Sequence, residues 1–300
     1  LNMNNSLLDA LSNKKDLIFC YGNIIPSINK LICSARHAYV IQTGTRYDLE
    51  TTIISDISDN ILENYYKNIF TYNSISHNFS ICKINNFYIG VGGVSQPSYL
   101  VGNNLAPHCH WGNYWKGLYL MKSKDCEIWS TPVKIIDRDW GLKNQCCSFD
   151  SQPSLVYNEI KDIYYLYCRY NPACQKRRLQ VFISNDIAKW QNNYMEVKIN
   201  KDINVYTAYM FTHNNKVLGI IRYYNNDFKV TNAKMLKDNA KIGLISSNNG
   251  INFTFEKDII DNYNYQIHGD VTQGHEIIDN KVVIYLLCQN GNLNEYNIFI

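Results

Sequence analysis

The sequence lacks any long apolar run. No stretch approaches the roughly twenty residues that a helix needs to cross a bilayer, so we expect no transmembrane segment. Residues 1–16 also lack a basic region followed by an apolar core, which predicts that they are not a secretory signal. We expect a tail or short helix at 1–16 and a single domain at 17–300.

The chain also lacks a large excess of charge of either sign. Its 29 Lys and Arg residues face 26 Asp and Glu residues, for a formal net charge of +3. A balance this close to zero gives no bulk attraction to nucleic acid or to a membrane surface. We therefore expect neither as a partner.

The ten cysteines lack metal-binding and redox spacing. There is no Cys-x-x-Cys, and no Cys/His pairing has the spacing of a zinc site. Several of the cysteines lie inside predicted strands, at Cys33, Cys82, Cys168 and Cys288. We expect core thiols in a reducing, cytoplasmic compartment, without a metal or cofactor.

What the sequence does contain is a repeat built from short strands. The heptapeptides SKDCEIW at 123–129 and SNDIAKW at 184–190 match closely, and SNNGINF at 247–253 is a weaker copy. Each follows a strand-like run rich in β-branched and aromatic residues. The copies lie about sixty residues apart, a spacing typical of a repeat architecture. We expect the Ser and Asp of this turn to bond the local backbone.

A second register supports the same period. Strand-like runs after a polar turn end in Arg36, Arg169 and Arg222. Five such units nearly fill the 300 residues, which predicts an all-β, five-bladed β-propeller. Because an open sheet edge is costly, we expect residues 17–20 to complete the last blade and close the ring. A β-sandwich with similar turns and a six-bladed sialidase-like propeller are the alternatives.

The propeller prediction brings polar side chains to one mouth of the axis. The first strand of each blade lines the axis and the second runs antiparallel to it, so first-strand starts and second-strand ends share a face. Carboxylates there can act as acid, base or nucleophile, and arginines suit carboxylate or phosphate oxygens. The candidate catalytic residues are Asp150, Asp270 and Glu276. The candidate substrate-binding residues are Arg36, Arg169, Arg222, His77, Tyr206, His268 and Trp111.

The stretch from 149 to 190 resembles the five-bladed propeller glycosidases. It holds FDSQPS at 149–154, YYLYCR at 164–169 and the Ser-x-Asp-x-x-x-Trp turn at 184–190. The group includes the arabinanase and β-xylosidase family, the invertase and levansucrase family, and the mannoside phosphorylases. The resemblance implies that Asp150 holds the sugar or stabilises the transition state. Asn23 stands near the place where the group has a first-blade Asp.

The sequence therefore predicts a carbohydrate-active protein that acts on a glycosidic bond at the central pocket. Asp150, with Asp270 or Glu276, would supply the carboxylates, and the arginines would hold an anionic group. Two alternatives stay open. One is a glycosyltransferase or phosphorylase that uses a sugar nucleotide or sugar phosphate. The other is a sugar-binding propeller without catalysis, which agrees with Asn23.

Overall fold

The structure is a computed structural model, and most of the chain is described as short strands. The described residues are 18–27, 30–40, 46–56, 65–70, 78–93, 100–101, 104–105, 117–126, 128–137, 140, 149, 151–173, 176–225, 240–260, 270–278, 281–287 and 293–299. Within them the elements are strands and turns, and there is no helix. The described part of the chain accordingly contains no helix that could span a membrane. This confirms the predicted all-β class.

The strands of the first two units form antiparallel sheets in chain order. They are β1 (Ile18–Ser27), β2 (Lys30–Val40), β3 (Arg46–Asp56), β4 (Tyr65–Phe70), β5 (Ser80–Ile84), β6 (Phe87–Gly92), β7 (Leu100–Val101), β8 (Asn104–Leu105), β9 (Gly117–Ser123) and β10 (Val133–Asp137). In the second sheet the order is β5-β6-β9-β10, and the short β7–β8 pair is inserted between its second and third strands.

The remaining units repeat this pattern. Their strands are β11 (Ser154–Asn158), β12 (Ile163–Ala173), β13 (Lys176–Ser184), β14 (Met195–Glu196), β15 (Lys198–Ile199), β16 (Ile203–His213), β17 (Lys216–Asn225), β18 (Lys241–Ser247), β19 (Asn252–Ile260), β20 (Asp270–Ile278), β21 (Lys281–Leu287) and β22 (Leu293–Phe299). One departure is β15, which pairs in parallel with β19 and so joins the third unit to the outer edge of the fourth.

The first strands of the predicted units meet around an axis. Contacts run from β1 to β5, β11, β16 and β20 in turn, and β20 returns to β1. A single parallel pair, Asn23 with Gln273, joins β1 to β20, so that the strands of units one and five form one seven-stranded sheet. Because the sheet pattern does not separate these two units, the count of five blades stays a prediction.

The structure does not confirm ring closure by the N-terminal strand. Ile18 and Cys20 pair with Ala38 and Arg36 of β2, and not with β22. A register shift between Cys20 and Gly22 lets this segment continue directly into β1. Residues 18–20 are therefore the beginning of β1, the first strand of unit one. The bulge between Cys20 and Gly22 keeps these residues paired with β2.

The hydrophobic core lies between adjacent sheets rather than within one of them. In one interface Leu118 and Leu120 of β9 pack with Leu166 of β12 and Phe182 of β13, all of them almost fully buried. Equivalent clusters fill the interfaces between β12 and β16 and between β17 and β20. Each fully buried side chain of this size contributes roughly 1.5–3 kcal/mol, so sheet-to-sheet packing supplies much of the stability.

Asparagine makes the tight turns that these short strands need. Asn214 and Asn215 connect β16 to β17 with φ values of 47° and 64°. Two consecutive residues at positive φ define the type I′ turn, whose twist matches that of antiparallel strands. An Asn-rich sequence can therefore form hairpins with few glycines.

Candidate functional site

Two of the predicted arginines lie against the ring of the predicted Tyr206. The guanidinium carbons of Arg169 and Arg222 are 5.1 and 4.8 Å from the ring centroid. Both side chains are deeply buried, with 3% and 2% exposure. Distances below about 6 Å allow the ring quadrupole to attract a cation. The structure thus brings together three residues from two units that the sequence assigns to one mouth.

A local irregularity in β16 presents this ring. Val205 pairs with Tyr223 and Thr207 pairs with Arg222, so that Tyr206 is the extra residue of a bulge. Bulges re-aim a side chain and are common beside functional sites. Tyr206 is half-buried and also meets Tyr224 edge to face at 6.1 Å. The bulge therefore explains how one ring contacts arginines on both sides.

A third arginine, which the sequence reasoning missed, completes the cluster. The guanidinium carbon of Arg177, at the beginning of β13, lies 5.3 Å from the Tyr206 centroid. Its backbone N–H donates to the Asn204 side chain at 3.1 Å. Its Nε is buried and has no hydrogen-bond partner among the described residues. The sequence did contain a signal for Arg177, which is the basic run KRR at 176–178. In an antiparallel blade the third strand begins on the face where the second strand ends, so a basic residue at its beginning lies on the same face as Arg169.

Backbone contacts connect the arginine cluster to the neighbouring segments of the chain. The Arg169 Nη1 group donates to the backbone oxygen of Tyr206 at 3.1 Å and so connects adjacent units. The backbone N–H of Phe149 donates to the Arg169 oxygen at 3.2 Å. Phe149 directly precedes Asp150, so the contact brings the start of the third unit to the arginines. Asp150 itself lies outside the described residues.

The last unit separates the two other candidate carboxylates. Asp270 begins β20, at the same end of its strand as Tyr206, and its side chain lies outside the description. Glu276 is half-buried and lies six positions further, roughly 20 Å at the rise of an extended strand. Of the two, Asp270 is the one whose backbone begins at the mouth.

His77, Trp111 and His268 lie outside the described residues. The backbone of Arg36 lies in β2 opposite Glu50 of β3, but its side chain is outside the description. These assignments stay predictions.

The described residues show no metal centre. Among them, no group of three His, Cys, Asp or Glu side chains could hold an ion. Cys82, Cys126 and Cys168 are free thiols, and burial raises the pKa of Cys82 to about 12. A neutral, buried thiol is neither a nucleophile nor a ready metal ligand. The predicted core role of Cys82 and Cys168 agrees with this environment.

The repeated turn has a structural role. The Ser184 hydroxyl accepts the Asp186 N–H at 3.0 Å, and the Asp186 carboxylate accepts the Ala188 N–H at 2.9 Å. The Trp190 indole N–H then donates to the Ile187 oxygen at 2.7 Å. The copies at 123–129 and 247–253 repeat the serine and Asp or Asn bonds. The motif closes each turn on its own backbone, as predicted.

Comparison with known proteins gives the fold. No protein-family model and no curated protein sequence matches the chain. Solved structures do match: an α-L-arabinofuranosidase from Clostridium thermocellum has a TM-score of 0.56 at 14% identity, over 93% of this chain and 85% of its own. A GH43_1 enzyme from Xanthomonas citri complexed with xylose has a TM-score of 0.56 at 9% identity, over 98% and 93%.

A third match has the same fold. It is a structure from the GH130 family of mannoside phosphorylases, which contains glycoside hydrolases that target β-1,2 mannosidic linkages, with a TM-score of 0.56 at 11% identity over 95% and 84%. At these identities the likeness concerns the fold. The chain is therefore similar to the β-propeller glycosidases in three dimensions, as the motifs at 149–190 predict.

Proposed function

We propose that this protein is a carbohydrate-active enzyme that acts on a glycosidic bond at the mouth lined by Arg169, Arg177, Arg222 and Tyr206. One observation carries the proposal: three guanidinium groups converge on a single half-buried aromatic ring beside the axis. The solved structures of similar fold are glycosidases and phosphorylases, one of them with bound xylose. Fold alone does not fix chemistry, so the site residues must support the assignment.

The arginine cluster favours a substrate with an anionic group. Guanidinium forks pair with carboxylate or phosphate oxygens, and they do so more strongly where water is excluded. The buried Nε of Arg177 offers a further donor at this place. An anion bound here would also offset the mutual repulsion of three cations, which gives it a reason to bind that a neutral sugar lacks.

Asp150 is the carboxylate that we assign to the reacting sugar. The hydrogen bond from the Phe149 N–H to the Arg169 backbone oxygen supports this assignment, because Phe149 directly precedes Asp150 in the sequence. Asp270 is the proposed second carboxylate because its strand begins at the same end, while Glu276 lies further along β20. A hydrolase needs two carboxyl groups about 5–10 Å apart.

A second function, transfer or phosphorolysis, is favoured by the same cluster. A phosphorylase or a sugar-nucleotide transferase needs guanidinium groups beside one acid rather than a pair of acids. Three arginines around Tyr206 fit that need. The two functions share the mouth and differ in what accepts the sugar, which is water in hydrolysis, phosphate in phosphorolysis and an acceptor hydroxyl in transfer from a sugar nucleotide.

Calorimetric titration with inorganic phosphate, a uronic acid, sugar nucleotides and neutral sugars tests the proposal. We expect an anionic ligand to bind the wild type and to bind Arg177→Gln at least tenfold more weakly. Arg178→Gln is the matched control, since Arg178 pairs instead with Asp202 at 2.9 Å. Phosphate or nucleotide binding would support transfer, and uronate binding would support hydrolysis. An equal loss in both variants would contradict the assignment of the mouth.

A further inference from the structure

A cavity of about 300 Å³ lies at the opposite end of the axis from the arginine cluster. Its walls are the second halves of the first strands, with residues from β1, β5, β11, β16 and β20. On β16 the lining includes Thr212, which is six positions beyond Tyr206, or roughly 20 Å along the strand. The cavity is therefore separate from the mouth.

Most of the wall is apolar, and one polar pair interrupts it. The hydroxyl of Tyr209 and the Nδ1 atom of His275 are 2.5 Å apart. The ring of Phe211 lies 4.2 Å from the imidazole, centroid to centroid. At the rim Lys83 and Glu159, both exposed, contribute one charge of each sign. The cavity thus has no net charge from its rim, and its wall combines apolar residues with the Tyr209–His275 pair and with Asn85 and Thr212.

The neighbours of this pair fix its protonation. Burial, with a smaller contribution from nearby His213, lowers the pKa of His275 to about 4, so the imidazole is neutral at pH 7. Among the described residues, the one hydrogen-bond partner of the Tyr209 hydroxyl is the Nδ1 atom of His275. Because the hydroxyl hydrogen of Tyr209 has this one acceptor among the described residues, it points to Nδ1. The ring hydrogen of His275 therefore resides on Nε2.

A backbone irregularity aims this donor. Between Val271 and His275 the register of β20 shifts against β21, and Gly274 has φ of 125°. An L-residue rarely adopts that conformation, so glycine is the residue that suits the bulge. The Nε2–H of His275 has no hydrogen-bond partner among the described residues. The bulge thus produces an unused donor beside an aromatic face.

We propose that this cavity is a second ligand site, for a neutral ring-sized molecule that places an oxygen acceptor on His275 Nε2–H and an apolar face on Phe211. A neutral ligand is required because a charged one would lose its hydration against an apolar wall. Two kinds of molecule share this chemistry: a cyclic ketone, and a single sugar ring. The volume accommodates either.

Titration of ¹⁵N-labelled protein with cyclohexanone and, separately, with methyl β-D-xylopyranoside tests the site. We expect saturable shifts of the Gly274 amide and of the His275 side-chain nitrogens with at least one of the two. A response to the ketone alone identifies an apolar carbonyl ligand, and a response to the xyloside identifies a sugar. The absence of a saturable shift with both overturns the proposal.

Two variants distinguish this site from the mouth. His275→Leu should weaken the binding two- to tenfold, which is the worth of one hydrogen bond. Arg177→Gln should bind the probes as the wild type does, because it lies at the other end of the axis. Loss of binding in Arg177→Gln with retention in His275→Leu would place the probes at the mouth and refute the second site. If His275→Leu does not fold, the imidazole nitrogen shifts of the wild type decide.

Discussion

Removing the ring of Tyr206 should destabilise the protein more than removing its hydroxyl. A cation–π contact is worth about 0.5–1 kcal/mol when exposed and about 2 kcal/mol when desolvated. Arg169 and Arg222 are 3% and 2% exposed, whereas Arg177 is half-buried. The three contacts therefore sum to at most about 5 kcal/mol. The three neighbouring cations also repel one another, which reduces the net contribution. We therefore expect Tyr206→Leu to lower the free energy of unfolding by about 2–3 kcal/mol.

Tyr206→Phe is the matched variant for this measurement. It keeps the ring face and the edge contact with Tyr224, and the phenolic oxygen has no hydrogen bond among the described residues. The backbone oxygen that accepts from Arg169 is present in both variants. Equilibrium denaturation in urea should place Tyr206→Phe within about 0.5 kcal/mol of the wild type. Equal midpoints for the Phe and Leu variants would refute the reasoning, because shape rather than the quadrupole would then matter.

Three further perturbations probe the packing between units and the buried imidazole. Gln152→Leu removes a buried hydrogen bond from Gln152 Nε2 to the Phe79 oxygen (2.7 Å), which should cost about 0.5–1.5 kcal/mol in urea denaturation. Gly219→Ala would place a methyl carbon 2.6 Å from the Met210 sulfur, so calorimetry should show a lower Tm and a cost of about 1–3 kcal/mol. For His275 the pKa in the folded protein is about 4, below the ordinary 6.5. The neutral imidazole therefore contributes its full stabilisation above pH 6.5. That contribution is lost as the pH falls toward 4, by about 3 kcal/mol of unfolding free energy in total. His275→Gln should lack this component when its unfolding free energy is compared with that of the wild type across that range.

The propeller is predictable from the sequence because the repeated turn is a local structure. Ser184, Asp186 and Trp190 form their hydrogen bonds within seven residues, so the pattern of residue types determines the geometry. The same holds for the positive-φ hairpin at Asn214 and Asn215. Once the turns are identified, the strands between them and their period follow.

The details of the site depend on contacts that no local pattern contains. Arg169 and Arg222 were identifiable because they occupy one repeat position. Arg177 belongs to a different strand of the repeat, and its contact with Tyr206 depends on a bulge that shifts the ring. The pairing of Tyr209 with His275 likewise joins residues from two units through a second bulge. The irregularity inserts only one residue in β16 and two in β20, so the alternating pattern of a strand does not reveal it.

Ring closure by residues 17–20 is an expectation that the structure does not confirm, and the pairing of residues 18–20 shows why. An unpaired edge after β22 suggested that this segment closes the ring. In the structure these residues pair with β2, which is adjacent in sequence. Local pairing has the smaller loop-closure cost, and so the segment extends β1.

Phosphate affinity of the mouth is the most direct test of the account. Inorganic phosphate and a sugar phosphate would be titrated by calorimetry into the wild type, Asp150→Asn, Arg177→Gln and Arg178→Gln. The account predicts binding that is lost at least tenfold in Arg177→Gln, kept in Arg178→Gln, and altered in Asp150→Asn only for the ligand that carries the sugar. Binding of no anionic ligand to the wild type, or equal binding to all four proteins, would contradict the claim that the arginine cluster holds the charged part of a carbohydrate substrate.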